Sequence, residues 1–143
     1  MAKMKEDPLE VVYHYTRPQA IADGVLVDLT GTARTVGIKF PMAITSAVYF
    51  GYIAQDPAPP TGDLASRLWD LLAAFKAAVA AGDGSAMEFK MRVVKNARMV
   101  ASGENPVEDY ADNWRLTEVT LQAVCGPGDD PRPVITIMTL DED

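Results

Sequence analysis

The sequence predicts an α+β domain: a small, mainly antiparallel sheet of about 3–5 strands, with one long amphipathic helix and several short helices packed on it. Three observations lead there. Residues 61–82 repeat apolar side chains at helical spacing, whereas 88–94, 117–125 and 133–140 switch to strand character. A glycine- and proline-rich stretch, "GPGDDPRP" (126–133), joins the last two as a hairpin. At 143 residues the chain fits one domain, 1–143, long enough to bury a core of its own.

Residues 1–10 read as a loose, charged lead-in. "VVYHY" (11–15) follows as a short strand rich in β-branched and aromatic residues. Thr16, with Gln19 three residues on, matches a capping box; Pro18 suits a first helical turn, and Gly24 can end the helix in the left-handed conformation. Residues 17–23 are therefore a very short helix, and "VLVDL" (25–29) returns as extended chain. "TGTARTVGIKF" offers a second short helix, with Thr32 as its cap and Gly37 as its stop. In "PMAITSAVYFGYIA" (41–54), Ile44, Val48 and Tyr52 recur at intervals of four, which predicts another helix. "QDPAPPTG" (55–62) is a proline-rich loop.

The long helix rests on Leu64, Leu68, Leu71, Leu72, Phe75 and Val79, with Thr61 as its expected cap, Asp63 at the positive end of the dipole and Gly82 as its stop. Trp69 is expected at the core or its edge. In "EFKMRVV" and "TEVTLQAVC" apolar and polar residues alternate, so each is a half-buried strand; "PVITIMTL" is apolar at nearly every position and suits a central one. The polar, acidic stretch 96–114 reads as an extended loop or lid. Trp114 at its end is expected to pack, with a partner-anchoring role as the alternative.

A formal net charge of -7, with thirteen basic residues that form no run, argues against nucleic acid as the default partner, although a local basic patch stays open. Acidity fits solubility, a basic partner or imitation of nucleic-acid charge. No apolar run is long enough for a membrane helix, and "MAKMKEDPLE" lacks the apolar segment of a secretory signal. One cysteine, Cys125, allows no internal disulfide, so a cytoplasmic location is expected. Oligomeric state is left open, a homodimer included.

His14 is the only histidine and the obvious acid–base candidate. One histidine excludes multi-histidine metal sites and, with one cysteine, argues against structural zinc, so no metal is expected. A Cys125–His14 pair would need a reactive thiol, but Cys125 runs in phase with Val119, Leu121 and Ala123, as a buried, inert thiol would. In the 126–130 turn, Gly126 and Gly128 could form an anion nest, while Asp129 and Asp130 would repel a phosphate without a metal. A plain hairpin turn is the simpler reading.

"YHYTRPQAIADGVL" resembles the opening motif of ADP-ribosyltransferase-type proteins. There a histidine helps bind the ribose of NAD and a later acidic residue holds the nicotinamide ribose. The resemblance implies His14 and Thr16 for the first motif, with Glu88 or Glu118 as the acid; "AVYFGY" is a poor match to the aromatic segment. It covers about fifteen residues, and a strand, a capped helix and a stopping glycine produce most of the same pattern.

A wider resemblance rests on "YTRPQAIADGVLVDLT", "TARTVGIKFPMAIT", "SRLWDLL" and "VTLQAVCGPGDDPRPVITIM", in that order along the chain. These segments are similar to an uncharacterised family of small bacterial proteins carried by plasmids, prophages and other mobile elements. Membership implies that genomic setting and no reaction. The stretch 96–114 is longer than the family pattern, and the position of His14 is one where the family also uses other small polar residues. The residues that carry the resemblance are Tyr15, Thr16, Arg17, Gln19 and Asp23 near the start, and Gly126, Pro127, Gly128 and Asp129 near the end, beside Asp130. The leading expectation is a non-catalytic accessory protein, without a cofactor, that binds a protein or a small ligand through these residues. Two other expectations stand beside it: an NAD-dependent transferase-like enzyme using His14, Thr16 and Glu88, and an acidic inhibitor of host defence or restriction proteins.

Overall fold

The computed structural model describes residues 16–82, 86–127 and 131–142, with Ala86 described by its backbone only. The expected lead-in and the "VVYHY" strand lie outside these residues. The chain enters helix α1 (Arg17–Ala22) through Thr16, whose hydroxyl accepts from the Gln19 amide at 3.2 Å while the Gln19 side chain accepts from the Thr16 amide at 2.9 Å. Two amides without helical partners are thus satisfied, an arrangement that contributes about 1 kcal/mol. Gly24, at φ 79°, turns the chain into β1 (Leu26–Asp28). Helix α2 (Thr30–Thr35) begins before the expected cap: the Asp28 carboxylate takes the Thr30 amide and hydroxyl at 3.0 and 2.6 Å, so Thr32 is not needed there.

Residues 41–54 are not one helix. Met42–Thr45 form strand β2, buried at every position because both neighbours and both faces are covered. Thr45 then caps α3 (Ser46–Val48), which continues as a π-helical turn over Tyr49–Ile53. The spacing of Val48 and Tyr52 belongs to that helical half; Ile44 belongs to the strand.

Helix α4 (Leu64–Ala81) is capped by Asp63 and Ser66 rather than by Thr61. It buries Leu71, Leu72 and Phe75 against the sheet, with Phe75 edge-on to Phe89 at 6.1 Å. Trp69 is 51% exposed, against the expectation: it shares its stripe with Ser66, Ala73 and Lys76, all of which face solvent.

The expected strands are present as β3 (Ala86–Asn96), β5 (Trp114–Pro127) and β6 (Pro133–Thr139). The stretch 96–114 is not a plain loop. After a 3-10 turn at Ala97–Met99 it contains β4 (Asn105–Ala111), which turns through Asn113, at φ 65°, into β5. Every β4 residue is exposed, so no apolar alternation marks it.

The sheet runs β1-β2-β6-β5-β3, with β4 also on β5. It has six strands and is mixed: β2 lies parallel to β6, and the other pairings are antiparallel. The expected sheet was too small because β2 and β4 lack strand alternation, one being wholly buried and the other wholly exposed. As expected, β6 is central.

Strand directions define two ends of the sheet. β2 and β6 start, and β5 finishes, at one end; β3 and β6 finish at the other. No helix among the described residues is long and apolar enough to cross a membrane.

Candidate functional site

At the end where β2 and β6 start, a cleft of about 530 Å³ opens between α1, β1 and α2. Arg17, Arg34, Lys39 and Arg132 line it, and Asp28 is the only carboxylate among its described lining residues. Four cations converge from four separate parts of a chain whose net charge is -7.

Each is placed by its own element. Arg17 follows the α1 cap, and its guanidinium donates to Thr136 Oγ1 at 2.8 Å and to the Ile135 carbonyl at 2.7 Å. That fork ties α1 to β6 and leaves the group half-buried in the cleft wall. Arg34 comes from the last turn of α2 and Lys39 from the loop into β2; both are exposed, and neither makes an ion pair with a described residue. Arg132 immediately precedes β6. The Asp28 carboxylate, opposing them, is engaged by Thr30.

Lys39 and Phe40 also line a second cavity of about 510 Å³, an apolar groove between the C-terminal half of α4 and the sheet. Ile38, Phe75, Val79, Met87 and Cys125 contribute to its walls. Lys76 stands at its edge and donates to the Val36 carbonyl at 2.6 Å.

The opposite end of the sheet treats charge differently. Lys95, with its side chain 6% exposed, meets Glu104 at 2.6 Å and lies 5.0 Å from the Tyr52 ring centroid. The other Glu104 oxygen accepts from the Tyr52 hydroxyl, and the Ala101 amide donates to the first. Burial opposes ionisation of Glu104, but the Ala101 amide, Lys95 and Tyr52 outweigh it and hold its carboxyl below the usual range. Burial, with the Glu104 carboxylate beside it, pushes the Tyr52 phenol well above its ordinary value.

Of the residues singled out from sequence, Arg17 lies in the basic cleft. Gly126 pairs in β5 with Val134, a cleft residue, but is not itself among the described residues that line the cleft. Thr16 and Gln19 form the cap, and Asp23 ends α1. Glu88 is exposed on β3 opposite Gln122, on the sheet face turned away from buried Phe89 and Met91; Glu118 stands 3.8 Å from Lys90. His14, Tyr15, Gly128, Asp129 and Asp130 lie outside the described residues. Sequence reasoning passed over Arg34, Lys39 and Arg132, although they stand inside "TARTVGIKFPMAIT" and "GPGDDPRP". A count of cations within those two segments was the available signal.

Among the described residues no group of three or more His, Cys, Asp or Glu side chains is gathered to hold a metal ion. The cleft thus combines a guanidinium fixed on β6, further cations from α2, the loop into β2 and the start of β6, and a carboxylate that already accepts from Thr30. A family model matches residues 4–143, that of a family of unknown function, DUF6573. No curated protein and no solved structure matches the chain significantly.

Proposed function

The chain belongs to that family of unknown function, and from its site we propose a non-catalytic binding protein whose ligand is a small anion, carboxylate or phosphate, held in the basic cleft. The supporting observation is the convergence of Arg17, Arg34, Lys39 and Arg132 around one engaged carboxylate in an otherwise acidic protein. Of the two partner classes open from sequence, a protein or a small ligand, a concave site of about 530 Å³ favours the small ligand, since such sites typically span about 300–1,000 Å³. The accessory role on a mobile element, implied by the resemblance, is part of the same proposal.

A thermal-shift panel of inorganic phosphate, short carboxylates and chloride at matched ionic strength tests it. Phosphate or a carboxylate should raise Tm in a saturable way, beyond chloride, and Arg34→Gln with Lys39→Gln should remove that increment. Equal shifts for all anions, or an increment that survives both substitutions, would reject the reading.

A further inference from the structure

Lys39 and Phe40 are common to two cavities, one carrying four cations and the other walled mainly by apolar side chains. On one side lies the basic cleft; on the other lies the groove of about 510 Å³. The groove has apolar walls from three sources: Ile38 and Phe40 before β2, Phe75 and Val79 on α4, and Met87, Ala123 and Ile135 on the sheet. Phe40 is 46% exposed and Val79 46% exposed, although both belong to the apolar lining. Exposed apolar side chains around a concave floor that includes buried Ala123 and Ile135 have an unfilled preference for hydrocarbon. Among the described residues, the cations at the groove are Lys39, where it meets the cleft, and Lys76 on α4.

We propose that the groove receives the alkyl chain of a free, single-chain amphiphile whose acidic head sits at Lys39, at the junction with the basic cleft. This rests on the anion-binding reading and adds the identity of the rest of the ligand. Charge complementarity sets the orientation: an acidic head is favoured at the Lys39 side, where Arg34 also lines the cleft, and hydrocarbon is favoured against Phe75, Val79 and Met87. A wholly polar anion would fill the cleft and leave the groove wet. An uncharged hydrocarbon would make no use of the exposed Lys39 and Arg34.

Cys125, the only cysteine in the chain, is half-buried in the groove wall and reports on occupancy. The test titrates the full chain with inorganic phosphate, then with butyl, hexyl, octyl and decyl phosphate below their micellar concentrations, and follows Cys125 alkylation by iodoacetamide. Affinity should tighten by about fourfold per added CH₂ until the groove is full, and the longer chains should slow alkylation while inorganic phosphate does not. Val79→Asp, on the exposed rim, should abolish the chain-length gain and leave phosphate affinity unchanged. Phosphate binding with no gain along the series would overturn this inference and leave the anion site standing. No binding by any member would overturn both. Tightening without protection of Cys125, or a chain-length gain that persists in Val79→Asp, would put the hydrocarbon elsewhere and reject the groove. Sedimentation with anionic vesicles but no binding of the free amphiphiles would likewise reject a free ligand.

Discussion

Lys95 and Lys39 carry the same charge at opposite ends of one sheet, in opposite surroundings. Lys95 is buried, joined to Glu104 at 2.6 Å and set against the Tyr52 ring, so every polar group near it has a local task. Lys39 is exposed, shares a cleft with three arginines, and has no ion-pair partner among the described residues. The first arrangement serves the fold: it pins the 97–104 connection to the π-helical turn and to β3. In the second, Arg17 ties α1 to β6, whereas Arg34 and Lys39 stand exposed beside it, and like charges brought together on a surface repel. In a protein of net charge -7, this gathering of four cations around one carboxylate is the observation on which the proposed anion site rests.

Substitutions at the two ends should separate those roles. The largest effect is expected from Glu104→Gln, which leaves Lys95 buried without its counter-charge; loss of one partner from such a pair costs about 3–5 kcal/mol. Urea denaturation of the variant should show that loss, and a change under about 1 kcal/mol would mean that the network is not structural.

The same network predicts a pH signature. Glu104 has a lowered folded pKa, so its contribution is complete above its ordinary value of 4.5 and is lost as pH falls below it. Tyr52 has a raised pKa, so its contribution is complete below 10.0 and declines as pH rises above that value. Wild-type Tm should fall at both extremes, and Glu104→Gln should flatten the acid limb; an unchanged acid limb would locate the titration elsewhere.

A smaller effect is expected at the corner that carries Arg17. Thr16→Ala should cost about 1 kcal/mol by removing the cap, measured by the same denaturation. If anion affinity also drops, the cap positions Arg17; a stability loss with unchanged affinity would assign the corner to the fold alone. Smallest of all, Arg34→Gln should change stability by less than about 0.5 kcal/mol, because the side chain is exposed and makes no described ion pair.

What was legible in the sequence follows physical rules. The Thr16–Gln19 cap, the long helix and three strands were readable because their signals are local: hydrogen bonds over three residues, or a clean period of 3.6 or 2. β2 was hidden because complete burial erases alternation, and its Ile44 happened to fall in step with Val48 and Tyr52 in the following helix. β4 was hidden for the converse reason, since complete exposure leaves nothing apolar to count. Arg17 was singled out with a cap rationale, yet its cleft appears only when Arg34, Lys39 and Arg132 arrive from distant positions. Dispersed charge carries no period, so a count of cations within two segments could flag these residues, but their convergence on one cleft appears only in the fold.

The central claim is that the cleft binds a small anion, and isothermal titration of the full chain with inorganic phosphate and octyl phosphate tests it most directly. One saturable site is expected in the wild-type protein, weakened at least tenfold by Arg34→Glu with Lys39→Glu while the denaturation midpoint stays put. Equal affinity in the wild type and the doubly substituted protein, or no saturable binding of either phosphate, would contradict it.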